Sequence, residues 1–350
     1  MFHRGKALGV RQVDRREVIA AGGASGYRPA MSQSSLELAV AQGADAVSVS
    51  VASSNDGVLF VLSSLNLSES TDVGKQLWAA SRYGTHTING MTSSGWFAHE
   101  FSAEQLGQLH YTEPLGRQRA KSFEHSGVEP LMPLSAALEV IAHESTSVEV
   151  YIDVLEPDFH ERLGLPVALA LEQAIADSGW RSNDSRLIVV SPEKKLLREL
   201  RDLGVGARHL YRCDAFGTAA DEMAKPDGER RSYVSELRQE TIGSLRDVCD
   251  GVVVPLAMID AVLAVTGTTN IATQLDQSLI RRAHDAGLLV FGQTLRAENR
   301  YRPDHLKKGV DPSGISGWES YFERVLAYDF DGVMCDQPDL LIAAKELIVE

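Results

Sequence analysis

The chain has few cysteines, no long apolar run and no excess of basic charge. Three of its 350 residues are cysteine, widely spaced and without a CxxC pair, which favours neither a zinc site nor a disulfide framework. The net charge of -14 repels polyphosphates, so we expect no nucleic-acid partner. No window reaches the roughly 18 uncharged apolar residues of a membrane span, and the first residues lack an apolar signal core. We therefore expect a cytoplasmic protein.

A glycine-rich turn near the start of the chain lacks reactive side chains. The stretch VIAAGGASGYRP (18–29) runs from a short apolar strand into a tight turn, an arrangement that usually presents functional groups at the edge of a sheet. No residue from Ala20 to Gly26 is an acid, a base, a thiol or a metal ligand. The sequence therefore has the turn without the reactive side chains that such a turn usually carries.

The rest of the chain alternates short β-rich runs with longer helical ones, which is typical of an α/β protein. The extended runs cover 18–21, 46–52, 58–63, 148–154, 186–191, 208–213, 251–256, 288–293 and 331–336. Only SSNDG (53–57) separates the second run from the third, so these two form an antiparallel hairpin. The remaining eight predict a (β/α)₈ barrel in one domain over residues 1–350, with its active site at the strands' carboxyl ends. The segment at about 65–130 is too long for an ordinary loop and predicts an insertion over that face.

Several motifs along most of the chain together resemble the glycerophosphodiester phosphodiesterase family. They are AGGASGYRP (21–29), AQGAD (41–45), NDG (55–57), LSESTDV (67–73), SGWFAHEF (94–101), YIDV (151–154), TLR (294–296) and DGVMCDQPDL (331–340). The resemblance implies a barrel that hydrolyses phosphodiesters with a divalent cation, two histidines and three carboxylates.

The positions that match the family's reactive groups carry other residues here. His-Arg, Pro-Glu, Glu-x-Asp and His-Asp of the family fall on Ala21-Gly22, Pro29-Ala30, Ser48-Val49-Ser50 and Ser63-Ser64. A third metal carboxylate, Glu in the family, is the shorter Asp153, and the lysine two positions later is Leu155. Serine and alanine supply neither the charge that holds a hard cation nor the imidazoles that move protons. We therefore expect no catalytic residue, no bound metal and no cofactor.

The same comparison leaves a set of candidate binding residues at the barrel mouth. They are Ser48, Ser50, Tyr151, Asp153 and Arg296. Asp153 is either a surviving ligand or an acid hydrogen-bonded to its neighbours. Arg296 either holds an anion or forms a salt bridge to Asp153 or Asp336.

Three other features carry little functional signal. Cys335 has no histidine placed to activate it and is interpreted as a small buried apolar residue. His99-Glu100 and His160-Glu161 do not have the spacing of a zinc-binding HExxH motif, so we interpret them as loop and helix-surface residues. GGASG does not have the GxSxG spacing of a nucleophile elbow.

The sequence leaves two hypotheses about the function open. The first is a pseudoenzyme with a binding or regulatory role, whose ligand is a small anion, a glycerol-phosphate-like compound, or a protein such as an active relative. The second is an enzyme of the same fold with residual hydrolysis or with metal-independent chemistry using Tyr151, Asp153, Arg212 or Arg296.

Overall fold

The fold, in the computed structural model, is described for residues 16–260, 263 and 278–349. The strands are β1 (Glu17–Ala21), β2 (Ala46–Ser53), β3 (Leu59–Val61), β4 (Gly84–Ile88), β5 (Met91–Gly95), β6 (Glu149–Val154), β7 (Leu187–Ser191), β8 (Arg208–Arg212), β9 (Gly251–Pro255), β10 (Leu289–Leu295) and β11 (Gly332–Cys335). The α-helices are α1 (Gln33–Ala41), α2 (Ala103–Leu106), α3 (Ala120–Phe123), α4 (Leu134–Glu144), α5 (Pro157–Arg162), α6 (Val167–Asp177), α7 (Lys194–Leu203), α8 (Ala220–Met223), α9 (Tyr233–Glu236), α10 (Ser278–Asp285), α11 (Trp318–Leu326) and α12 (Pro338–Val349).

Eight parallel strands of the described residues close into a barrel. Their order is β1, β11, β10, β9, β8, β7, β6 and β2, and a further pairing of β1 with β2 completes the ring. The predicted (β/α)₈ fold is therefore confirmed. The strands are buried on both faces, inward against the barrel interior and outward against helices, which is why their sequences are nearly continuous apolar runs.

The predicted hairpin is also confirmed. β3 runs antiparallel to β2, with Val51 opposite Val61 and Ser53 opposite Leu59. A loop of this length cannot hold the crossover that a parallel pair requires, so β3 extends the sheet at β2 without joining the ring.

The inserted segment between β3 and α4 contains regular structure that the sequence analysis did not predict. It contains the short antiparallel ribbon β4–β5 together with α2 and α3. Phe97 is fully buried, and the Trp96 indole nitrogen donates to the Ala79 carbonyl at 2.8 Å. These aromatic side chains anchor the segment.

Within the part of the chain that the structure describes, no helix combines the length and the apolar character needed to cross a lipid bilayer.

Candidate functional site at the barrel mouth

Strand β2 sends its serines into the barrel and its valines outward. Val47, Val49 and Val51 are fully buried, while Ser48 and Ser50 alternate with them on the inner face. Because the strands are parallel, their carboxyl ends lie at one end of the barrel. Register then places Ser48 beside Ala21 of β1 and Ser50 beside Asp153 of β6.

These residues line a cavity of about 410 Å³ at the carboxyl ends of the strands. Six of the seven positions that the resemblance assigns to the family's histidines and acids line it, and Arg296 does so too, whereas Ser64 is not among the lining residues. The six positions are Ala21, Ala30, Ser48, Ser50, Ser63 and Asp153. The register of the resemblance thus describes one common site, in which Asp153 is the ionisable member of those six.

Tyr151 is an exception among the predicted site residues. Its side chain is fully buried inside the barrel, 5.7 Å from the Phe291 ring between centroids, and its hydroxyl donates to Glu17 at the first residue of β1. The hydroxyl therefore points to the end opposite the cavity. Placing Tyr151 at the mouth was wrong, because it lies one inward-facing layer below Asp153.

The carboxyl group of Asp153 lies beside a cationic side chain, that of Arg212. Its Oδ1 lies 3.4 Å from the Arg212 Nε, and neither atom has a hydrogen-bond partner among the described residues. Burial raises the pKa of Asp153, attraction to Arg212 opposes that rise, and Asp214 adds to it. This arrangement favours a carboxyl whose charge is balanced within the protein.

The donor set does not fit Ca²⁺ or Mg²⁺, which prefer several charged oxygen ligands. Ser48 and Ser50 offer neutral hydroxyls beside the single acid Asp153. Of the other acids in the cavity wall, Glu113 accepts from Ser122 Oγ at 2.5 Å and from Leu115 N at 2.9 Å. Its carboxylate is thus engaged in holding the inserted segment.

A network of charges forms the opposite wall of the cavity. Asp336 Oδ2 accepts from Arg296 Nε at 2.9 Å and from Arg119 Nη2 at 2.5 Å. Arg119 Nε also donates to Glu298 at 2.6 Å. Burial alone would raise the pKa of Asp336, but Arg296 and Arg119 outweigh it and lower that pKa.

This network decides between two of the sequence alternatives. The salt bridge of Arg296 is to Asp336 and not to Asp153. Arg119, which the sequence analysis did not single out, comes from the inserted segment 217 residues before Asp336. No local sequence pattern around Arg119 indicates this contact. The one indication in the sequence was Asp336 itself, an acidic residue directly after β11 that needs a cationic partner when buried.

The glycine turn persists for a structural reason. Gly23 has φ of +77°, and a Cβ on it would lie 2.5 Å from the backbone carbonyl atoms of Ser35 in α1. Ala24 N donates to the same carbonyl oxygen at 2.9 Å. The turn is the place where α1 packs closely on the end of β1, which requires glycine whether or not reactive groups are present.

The histidine assignments need correction. His160 lies on α5 but is fully buried, not on the helix surface, and burial followed by repulsion from His99 lowers its pKa to about 4. His99 is half-buried beside His86. Cys335 is fully buried and burial raises its pKa well above the usual value, in agreement with an apolar role.

The protein is thus a (β/α)₈ barrel whose cavity at the carboxyl ends of the strands has the size of a small-molecule binding site. The profile of the glycerophosphoryl diester phosphodiesterase family matches residues 23–340. The chain belongs to that family.

Individual relatives are distant. Glycerophosphodiester phosphodiesterase GDPD6 of Arabidopsis thaliana is 26% identical over 148 residues, which cover 42% of this chain and 39% of that protein. A phosphodiesterase of Oleispira antarctica, solved with its product sn-glycerol-3-phosphate, superposes with a TM-score of 0.57 at 19% identity, covering 94% of this chain and 96% of that one. A glycerophosphodiester phosphodiesterase of Parabacteroides distasonis gives 0.57 at 12% identity, covering 97% and 100%.

Proposed function

We propose that this chain has lost metal-dependent hydrolysis of glycerophosphodiesters and uses the barrel mouth to bind a small phosphorylated glycerol compound. One observation carries the proposal. Six of the seven positions assigned to the family's histidines and acids line a single cavity, and Asp153 alone among these six is ionisable. We also propose a reducing, cytoplasmic setting, supported by three cysteines that are free and buried.

The chemistry explains why the replacements matter together. Without paired imidazoles, the general acid–base contribution of roughly 10²–10⁴ in rate is lost, which is about 3–5 kcal/mol of barrier. With Asp153 as the one acid left at the three ligand positions, most of the charge that would hold a cation against the phosphate oxygens is lost. Ser48 and Ser50 make the part of the cavity wall formed by β2 polar but uncharged.

Arg296 supports binding of an anion. Its Nε donates to Asp336, its guanidinium carbon lies 4.6 Å from the centroid of the Tyr301 ring, and its side chain is 36% exposed. Arg296 lines a space of about 410 Å³, and a guanidinium fork suits a phosphate group. The ligand in the Oleispira antarctica structure, sn-glycerol-3-phosphate, is a compound of this class.

The test combines an activity assay with a binding assay. We expect no release of glycerol 3-phosphate from glycerophosphocholine with Ca²⁺ or Mg²⁺. In isothermal titration calorimetry we expect sn-glycerol 3-phosphate to bind, and Arg296→Gln to weaken it roughly 10- to 100-fold, because a charge-assisted hydrogen bond contributes about 1.5–3 kcal/mol. Asp336 keeps its bond to Arg119 in this variant, so the wall stays paired.

Arg281→Gln is the matched control, because Arg281 is exposed on α10, away from the cavity. Metal-dependent turnover at rates typical of enzymes would overturn the loss of hydrolysis. Absence of binding, or equal weakening by the two arginine variants, would overturn the ligand assignment.

A second candidate function is favoured by the Asp153–Arg212 pair. A buried carboxyl of raised pKa next to a cation, at 3.4 Å, is the arrangement that metal-independent acid–base chemistry requires. Under this alternative, a phosphodiester is turned over in the presence of a chelator and Asp153→Asn abolishes that turnover. Under the first proposal, Asp153→Asn has no activity to remove.

A further inference from the structure

Two histidines and a glutamate lie together in the inserted segment, outside the mouth cavity. His86 is on β4, and His99 and Glu100 are on a short 3-10 turn (Ala98–Glu100) that follows β5. One ligand atom from each of the three side chains lies within 4.8 Å of the others. None of the three lines the cavity.

The contacts within this cluster are incomplete. His86 Nε2 and Glu100 Oε1 are 3.0 Å apart, and the two imidazole rings stand edge to face with centroids 5.2 Å apart. His99 Nδ1 and Glu100 Oε2 are buried, and neither has a hydrogen-bond partner among the residues described. Leaving buried polar atoms without partners is costly, so such atoms indicate a missing water or ion.

We propose that His86, His99 and Glu100 bind one divalent transition-metal ion of the zinc class. Two imidazole nitrogens and one carboxylate oxygen form a ligand set that Zn²⁺ uses with a fourth position open to water. Ca²⁺ and Mg²⁺ prefer oxygen ligands alone. A tetrahedral zinc site with bonds of about 2.0 Å separates its ligand atoms by roughly 3.3 Å, so these side chains need to close by at most about 1.5 Å.

The surroundings suit a metal that holds the segment together. The Phe97 ring lies 4.5 Å from the His86 ring, and the Phe159 ring of α5 lies 4.9 Å from the His99 ring, each between centroids. This apolar shell restricts water around the ligands. The side chains of His86 and Glu100 are 29% and 27% exposed, which leaves a path for the ion. The bound ion joins the β4–β5 ribbon to the turn at 98–100.

The experiment measures Zn²⁺ binding to the full chain. After chelator treatment, we expect titration with Zn²⁺ to give one equivalent per chain, measured by competition with a chromogenic chelator, and a raised melting temperature. Ca²⁺ and Mg²⁺ are expected to give neither. His99→Ala and Glu100→Gln are expected to weaken Zn²⁺ binding more than about 100-fold, since changes to outer-shell groups alone cost about 10- to 100-fold.

His143→Ala is the matched control. His143 also precedes a glutamate and contacts it at 3.1 Å, but its side chain on α4 is 86% exposed. We expect its Zn²⁺ affinity to equal that of the unmodified chain. Circular dichroism without metal identifies any variant that fails to fold. If a variant fails to fold, the visible spectrum of Co²⁺ bound to the unmodified chain is measured instead, and we expect it to show coordination by nitrogen and oxygen.

Several outcomes would overturn the site: no binding by the unmodified chain, equal losses in the His99 and His143 variants, full binding by Glu100→Gln, or a Co²⁺ spectrum of octahedral, all-oxygen type. The site shares no residue with the mouth cavity, so its failure leaves the proposed function untouched.

Discussion

Glu193 illustrates how single ionisable residues are constrained at the carboxyl end of this barrel. It follows β7 and is 1% exposed. Its Oε2 accepts from Asp158 N at 2.9 Å, and its Oε1 has no hydrogen-bond partner in the described residues. Burial, reinforced by Asp221 and other nearby acids, raises the pKa of Glu193 to about 8. At neutral pH the folded protein therefore keeps this carboxyl largely protonated.

The raised pKa predicts the direction in which stability depends on pH. A folded-state pKa above the unfolded value of about 4.3 gives a stabilising contribution that is complete below pH 4.3 and is lost as the pH rises to about 8. Glu193→Gln cannot ionise, so its free energy of unfolding relative to the unmodified chain should increase by on the order of 3 kcal/mol between pH 5 and pH 9.

Urea unfolding at pH 5, 7 and 9 measures this difference. Glu139→Gln is the control, because Glu139 is exposed on α4, and its difference from the unmodified chain should not change with pH. If the two variants give parallel pH dependences, Glu193 titrates normally in the folded protein.

At the scale of elements, the β4–β5 ribbon shows what sequence reasoning missed. Asn89 and Gly90 have φ of 48° and 81°, the two positive values of a type I′ turn. The Asn-Gly pair was the available signal. The flanking strands are polar and largely exposed, and cross-strand hydroxyl pairs such as Thr87 with Thr92 at 2.7 Å replace an apolar face. Hydrophobic patterning therefore could not indicate them.

The turn geometry predicts a local effect of substitution. A Cβ at Gly90 would meet nothing within 4 Å, so the cost of Gly90→Ala comes from the positive φ alone, about 1–2 kcal/mol. Native-state hydrogen exchange should accelerate about 5- to 30-fold for amides of β4 and β5 and stay unchanged for β2 and β6.

Gly107→Ala in the same segment is the control for that experiment. Its φ of -65° is helical, and an added Cβ makes only an ordinary contact of 3.5 Å. Equal acceleration of the ribbon amides in both variants would mean that the turn does not limit the opening of the ribbon.

At the scale of the molecule, the barrel was predictable, but the charge network at its mouth was predictable only in part. The predicted run 46–52 became Ala46–Ser53 and the run 251–256 became Gly251–Pro255, because strands buried on both faces require continuous apolar stretches. Alternation along β2 puts Ser48 and Ser50 on the inner face of that strand, where they line the cavity. Arg296 was offered from the sequence as a partner of Asp336, whereas the second partner, Arg119, and the depth of Tyr151 depend on ring closure and on where the insertion lies, which no local pattern encodes.

Closure of the barrel also makes the proposed loss of function testable by restoration. Because the six replaced positions line one cavity, returning the family's groups should rebuild a site without altering the fold. The variant carries Ala21→His, Ser63→His, Ala30→Glu, Ser48→Glu, Ser50→Asp and Asp153→Glu. We expect it to release glycerol 3-phosphate from glycerophosphocholine only with Ca²⁺ or Mg²⁺.

The restored groups should act only in combination, because imidazoles without a cation leave the phosphate charge unbalanced, and a cation without imidazoles leaves the protons without carriers. The matched control keeps both histidines but places Gln, Asn and Gln at positions 48, 50 and 153. These amides have nearly the size of the acids and cannot supply their charge. We expect at least about 100-fold less metal-dependent turnover from this control than from the full variant. Equal rates in the two would show that charged ligands at these positions are not what hydrolysis in this barrel lacks.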